Sequence, residues 1–183
     1  MPAYRRNFLP GGTYFFTLVT HHRRPFLTDE IARAALRQSL REIRARHPFS
    51  IDAIVLLPDH LHTVWTLPPN DDRYPLRWRQ IKTRFTQENL KLGGVELDVS
   101  VSRRIKGERG VLHRRFYEHT VRDEADLKRC IDYIHINPLK HGLVKRVIDW
   151  PWSSFHRYVT LGEYTPDWGS DPTFHGDEWL QYE

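Results

Sequence analysis

Two histidines one residue apart, His60-Leu61-His62, sit within Leu57-Pro58-Asp59-His60-Leu61-His62-Thr63-Val64-Trp65, a stretch whose apolar and β-branched content predicts a strand. Successive side chains of a strand alternate faces, so the two imidazoles point the same way while Leu61 and Thr63 point the other. Neutral imidazoles aimed at one spot can ligate a divalent cation if a neighbouring group fixes the second nitrogen of each ring. Taken alone, the same spacing fits an exposed pair at a strand edge. Further along, Tyr133 offers a phenol. Placed beside a metal-bound phosphodiester, a phenolate can attack phosphorus and expel the 3′ oxygen, an arrangement for covalent catalysis. The proton it must lose calls for a cation or base nearby, and Lys140, His135 and His141 are the candidates. A packed aromatic whose hydroxyl finds a partner is the alternative role for Tyr133.

Hydrophobic periodicity supplies the elements that must position these groups. Gly11-Gly12 introduces a β-branched and aromatic run, Thr13 to Thr20, expected as a first strand buried on both faces. His21-His22-Arg23-Arg24-Pro25 follows as a basic loop suited to phosphates. Asp29 is placed to cap a helix from Glu30 to Arg46, with Ala32, Leu36, Leu40 and Ile43 on its core face and Arg33, Arg37, Arg41 and Arg44 on a neighbouring stripe. Ile51 to Leu57 is the second predicted strand, Pro58-Asp59 a tight turn, and His60 to Leu67 a third strand returning antiparallel. A second helix is predicted from Leu76 to Leu92, burying Trp78, Ile81 and Phe85 and leaving Arg77, Arg79, Lys82 and Arg84 outside. Val95 to Arg115 shows no period and carries six Lys or Arg, which predicts a mobile basic connection.

Phe116 to Val121 is the fourth predicted strand, and Asp123 caps a third helix from Glu124 with Leu127, Cys130, Ile131 and Ile134 as its apolar positions. Asn137-Pro138 is expected to end or kink that helix, because a residue before proline disfavours the helical region. Asn137 would then cap a short helix reaching Gly142. Strand, helix, strand, strand, helix, strand predicts an α+β fold, a ferredoxin-like βαββαβ sandwich with a central antiparallel sheet. The histidine pair lies on an inner strand of it and Tyr133 on a helix.

The 183 residues suit one domain, residues 1–157, and an acidic C-terminal tail, residues 158–183. Lys and Arg number 28 against 23 Asp and Glu, a net charge of +5. From Tyr158 onward there are six acids and no Lys or Arg, so the first 157 residues carry +11. A body that basic and aromatic points to a polyanion, most often nucleic acid. The tail interleaves its acids with Tyr164, Trp168, Phe174 and Trp179 and could lie in a basic DNA groove as an internal competitor. A single cysteine, Cys130, excludes an intramolecular disulfide framework and a cysteine-rich zinc site. With no targeting segment and no long apolar run, a cytoplasmic protein with no membrane partner is expected.

Several of these segments together resemble one family. His60-Leu61-His62 before Thr63-Val64-Trp65, and Asp132-Tyr133-Ile134-His135-Ile136-Asn137-Pro138-Leu139-Lys140-His141-Gly142-Leu143-Val144, resemble the two signature segments of single-tyrosine HUH transposases, more narrowly the REP-associated tyrosine transposases. Tyr4-Arg5-Arg6, Gly11-Gly12-Thr13, Trp78-Arg79-Gln80-Ile81-Lys82, Phe116-Tyr117-Glu118-His119 and Trp150-Pro151-Trp152-Ser153-Ser154-Phe155-His156 are similar to that subgroup as well. The resemblance implies a metal-dependent single-strand DNA endonuclease and strand transferase. It implies that His60 and His62 bind Mg²⁺ or Mn²⁺, with Asn137, four residues after the tyrosine, as third ligand. It implies further that Tyr133 forms a 5′-phosphotyrosine link to single-stranded DNA beside a REP-like hairpin, the protein acting as a monomer or homodimer. Tyr4, Arg5, Arg6, Arg23 and Arg24 are the implied DNA contacts, and Lys82 and Lys140 join them. An HUH replication-initiator or relaxase-type nickase would share the chemistry on a different substrate. A non-catalytic ferredoxin-like nucleic-acid binder of RRM type would want a Lys-Gly-Phe-Gly-Phe-like run, which the chain lacks.

Overall fold

The computed structural model describes residues 6–170 of the chain. Its centre is a four-stranded antiparallel sheet in the order β2-β3-β1-β4, built from β1 (Thr13–Val19), β2 (Ser50–Leu56), β3 (His60–Thr66) and β4 (Tyr117–Thr120). Two helices, α1 (Glu30–Arg46) and α2 (Tyr74–Lys91), pack on each other and connect the strands in ferredoxin-like order. A short α3 (Val101–Ile105) precedes β4, and α4 (Glu124–Lys140) and α5 (Phe155–Thr160) follow it.

Strand alternation divides the core in two. Tyr14, Phe16, Leu18, Leu61 and Trp65 join α1 and α2 in one apolar cluster, whereas Phe15, Val55 and Val64 join Cys130, Ile131, Tyr133 and Ile134 of α4 in another. The sheet is therefore covered on both faces, with α4 opposite α1 and α2. On the first face Trp78 of α2 stacks on Trp65 of β3 at 4.3 Å between ring centroids. A buried aromatic pair of this kind contributes about 1 kcal/mol beyond its area. It also fixes the strand whose other face carries the histidines.

Three expectations are corrected. Arg77 is buried rather than outside: its guanidinium makes a two-pronged bond to Asp71 at 2.9 Å and caps the carbonyls of His47 and Pro48. Those partners cannot be seen in a helical period. The 95–115 connection is organised by α3 and by bridges pairing Leu97 with Gly110 and Thr20 with Leu112. And α4 neither ends nor kinks apart at Asn137-Pro138, but runs on to Lys140 with Pro138 inside it. Proline there removes one bond near the end of the helix, and Gly142 at φ 66 closes the terminus while Leu143 N donates to Pro138 O. Asn137 is thus an interior residue of α4 and not the cap of a new helix.

Of the stretch from residue 158, Tyr164 and Trp168 pack with Phe155, Ile136 and Val147, and the Tyr164 hydroxyl bonds to Asp132. They sit against α4 and not along a basic groove, and the remainder of the tail, with Tyr4 and Arg5 at the other end, lies outside the described residues.

Candidate active site

Antiparallel register places Thr17 of β1 opposite His62 of β3, and Val19 opposite His60. Directly opposed residues share a face, so the Thr17 hydroxyl meets His62 Nδ1 at 2.8 Å. One residue before β3, the Asp59 carboxylate meets His60 Nδ1 at 2.6 Å, and Arg23 holds the same carboxylate at 3.1 Å. Each ring therefore has its Nδ1 engaged, which leaves Nε2 to face the space between sheet and α4. Burial, then the nearby His60, His141 and Lys140, hold the His62 imidazole well below its ordinary pKa. Burial also lowers His60, against the opposing pull of Asp59. Both rings are neutral near pH 7 and offer lone pairs.

The space they face is a cavity of about 470 Å³. His60, His62, Thr17 and Arg23 line it from the sheet side, Tyr133 and His141 from α4 and its end, and His113, Arg115 and Tyr117 from the approach to β4. The His62 and Tyr133 ring centroids are 5.0 Å apart, those of His60 and His62 4.8 Å, and those of His60 and His141 5.2 Å. Lys140 Nζ stands 5.3 Å from the Tyr133 ring. Tyr133 has no exposed surface, so it forms the cavity floor.

Two observations bear on whether the residues fit a divalent ion. His62 Nε2 is buried and has no hydrogen-bond partner among the described residues, which is costly unless a ligand completes it. Asn137, one helical turn beyond Tyr133, is fully buried with both amide atoms in the same condition, although it does not line the cavity wall. Two imidazole nitrogens and an amide oxygen form a donor set able to hold a divalent cation. A second cluster, His119, Asp126 and Cys130, brings its ligand atoms within 4.8 Å of one another. There Asp126 already accepts from His119 Nε2 at 2.9 Å, the Arg122 backbone N–H at 3.0 Å, and the Arg122 and Arg129 guanidiniums. Burial pushes its carboxyl up, but these donors outweigh it and hold it well below the usual carboxylate range. Its lone pairs are taken, so the cluster reads as structural.

The other sequence-predicted contacts separate. Arg23 lines the cavity, and Lys140 lies beside its tyrosine. Arg24 turns away to the Val95 carbonyl, and Arg6 pairs with Glu118 while lying over Phe116. The Lys82 ammonium does not project to solvent but donates to the carbonyls of His113 at 2.7 Å and Arg114 at 2.6 Å.

Residues 10–76 match the family profile described as transposase IS200 like. A Haemophilus influenzae protein assigned to the REP-associated tyrosine transposases is 43% identical over 94% of this chain and 96% of its own length. The Escherichia coli REP-associated tyrosine transposase is 41% identical over 94% of both chains. The chain belongs to the REP-associated tyrosine transposases. A solved REP-associated tyrosine transposase bound to a REP hairpin superposes with a TM-score of 0.77 at 40% identity, covering 96% of this chain and 95% of its own. This REP-associated tyrosine transposase is accordingly a DNA-transposing enzyme of ferredoxin-like α+β architecture, and among its described residues no helix is long and apolar enough to cross a membrane.

Sequence reasoning missed Thr17, His113 and Arg115 in this transposase. Thr17 hid in an apolar strand whose register to His62 no local pattern encodes. His113 and Arg115 fell in the stretch without a period, where the only signal was His113-Arg114-Arg115 running directly into Phe116-Tyr117.

Proposed function

We propose that this transposase cuts and rejoins single-stranded DNA beside REP-like hairpins through a 5′-phosphotyrosine link on Tyr133, with Mg²⁺ or Mn²⁺ held by His60, His62 and Asn137. The observation that carries the reading is the buried, unpartnered Nε2 of His62 in a cavity floored by the only tyrosine of the Asp132-to-Val144 segment. Residue burial and the Nδ1 bonds from Thr17 and Asp59 support neutral, oriented imidazoles. A divalent ion there would draw charge from a non-bridging oxygen of the scissile phosphate.

The protein's own groups account for the rest. The Tyr133 hydroxyl loses its proton, its oxygen bonds to phosphorus, the P–O3′ bond breaks, and the 3′ oxygen departs as a hydroxyl after taking up a proton. Rejoining is the reverse step with a different 3′ hydroxyl. Lys140, 5.3 Å from the ring, favours negative charge on the phenolate. His141, which lines the same cavity, would take the proton. His135 would not, because its Nε2 meets the Ser154 hydroxyl at 2.9 Å on another face of α4 among Phe155, Tyr158 and Tyr164. Arg23 and Arg115 on the wall suit backbone phosphates. The single buried cysteine suits a reducing, cytoplasmic setting.

The test is nicking of a single-stranded hairpin substrate with Mn²⁺, read as cleaved strand and as protein–DNA adduct in a denaturing gel. Wild type is expected to cut and form the adduct, and Tyr133→Phe to do neither. Equal cleavage by both would remove Tyr133 as nucleophile, and cleavage without any divalent ion would remove the metal role.

A further inference from the structure

Cleavage at phosphorus moves two protons: one leaves the Tyr133 hydroxyl, and one must reach the departing 3′ oxygen. Attack and departure take place on opposite sides of phosphorus, roughly in line, so one side chain does not serve both. Among the described residues, four imidazoles line the cavity of His60 and His62. Those two are the proposed ligands and His141 the proposed base, which leaves His113 without a part in the chemistry.

Strand register places His113 across the cavity from that base. Val19 of β1 is opposite His60 of β3, and Val19 O accepts from His113 N at 2.8 Å, one residue on from the antiparallel bridge between Thr20 and Leu112. His60, Val19 and His113 therefore form a row across the sheet, and opposed residues share a face. All three line the cavity. At two strand spacings, the His113 backbone lies roughly 10 Å from that of His60. His141 is at the other end of the row, its ring 5.2 Å from that of His60, and α4, which carries Tyr133, packs over β2 and β3. One imidazole thus stands on the nucleophile's side and the other beyond β1.

The position of His113 is built. Its carbonyl accepts from Lys82 Nζ at 2.7 Å, and its Nδ1 donates to the Arg115 carbonyl at 3.3 Å. A carbonyl only accepts, so this bond keeps a proton on Nδ1 and makes Nε2 the nitrogen that gains and loses one. The residue is exposed, so water can recharge the ring. On the same wall, the Arg115 guanidinium does not release a proton near neutrality. Burial pushes the Tyr117 phenol up, which makes it a poorer acid.

We propose that His113 is the general acid for the leaving 3′ oxygen. As the Tyr133 oxygen bonds to phosphorus, the P–O3′ bond breaks, its electron pair goes to the 3′ oxygen, and that oxygen takes the proton of His113 Nε2 and leaves as a hydroxyl. In rejoining, the neutral Nε2 takes the proton of the incoming 3′ hydroxyl. Protonated His141 then returns its proton to the Tyr133 oxygen as the bond to phosphorus breaks, so each histidine ends in the state in which it began. This rests on the reading of the cavity as the cleavage site for single-stranded DNA.

The test is single-turnover cleavage, with Mn²⁺, of two hairpin substrates that differ only in whether oxygen or sulfur links the 3′ carbon to the scissile phosphorus. A thiolate, whose conjugate acid has a pKa of about 8.5, departs without help from an acid. His113→Ala and His113→Gln should cut the oxygen-linked strand roughly 10²-fold more slowly than wild type and the sulfur-linked strand within roughly twofold of it. His141→Ala should be slowed alike on both. In the non-cleaving Tyr133→Phe background, His113→Ala should leave hairpin affinity unchanged by fluorescence anisotropy. Equal slowing of the His113 variants on both substrates, or no slowing on either, overturns the proposal, as does rescue of His141→Ala by sulfur or a loss of affinity that accounts for the slower cleavage. Failure of the cleavage reading appears separately, as absence of the denaturation-resistant adduct from wild type with either substrate.

Discussion

Two clusters in this transposase place histidine beside other groups able to bind a metal, and they differ in what their lone pairs are already doing. At His119, Asp126 and Cys130 the carboxylate takes donors from His119, Arg122 and Arg129. At His60 and His62 both Nδ1 atoms are engaged, while the Nε2 of His62, on the cavity side, has no partner among the described residues. Residue type and proximity are common to both. Donor capacity left over where a ligand can reach is found at the second, and that is the property a metal site needs. His135 makes the same point from another side. It too has a buried ring nitrogen without a partner among the described residues, but it is packed among aromatic rings away from the His60 and His62 cavity.

The sharpest way to break this contrast is at the cavity floor and its histidines. Tyr133→Phe should abolish the covalent adduct altogether, a loss of roughly 10³-fold or more in cleavage by single-turnover assay. His62→Ala should cost roughly a thousandfold in the same assay at fixed Mn²⁺, the size of several kcal/mol of lost charge stabilisation. The saturated cluster should respond in stability instead. Asp126→Ala strips the shared acceptor from Arg122, Arg129 and His119 and should destabilise the fold by about 3 kcal/mol in urea denaturation, with the Mn²⁺ dependence of cleavage unchanged. A shifted Mn²⁺ dependence would make that cluster a working metal site after all. Thr17→Val and Asp59→Ala should each raise the Mn²⁺ needed for half-maximal cleavage by about 10–100-fold, since they free the rings they now orient.

The smallest effect concerns His135, whose burial pulls its pKa down to about 3 from 6.5. Below 6.5 the unfolded chain takes up a proton there that the folded chain refuses. Its contribution is thus present above pH 6.5 and lost as pH falls toward 3. His135→Gln should flatten stability against pH by about 1.4 kcal/mol per unit between pH 6 and 4.5. An unchanged slope would place the acid sensitivity elsewhere.

The sheet, its four strands and the two long helices of the sandwich were legible because alternation and helical period are local properties, and Glu30–Arg46 matches its predicted span. The histidine pair and Tyr133 were legible as residue types in order along the chain. Their meeting was not, because it depends on α4 crossing the face of β3 opposite to α1 and α2, a choice of layer that no local pattern records. Arg77 and Lys82 show the same limit: each has helical spacing for a solvated face, and each is turned inward by acceptors contributed from distant loops. Asn137 misled in the other direction, since a local rule against helix before proline yields to a helix that needs only one more turn.

The most direct test of the contrast is Mn²⁺ binding followed by electron paramagnetic resonance on purified protein without DNA. Wild type and Asp126→Ala should bind one Mn²⁺ with the same affinity, and the His60→Ala/His62→Ala protein should lose that ion. Retention of the ion without the two histidines, or its loss in Asp126→Ala alone, would contradict the account and move the metal to the other cluster.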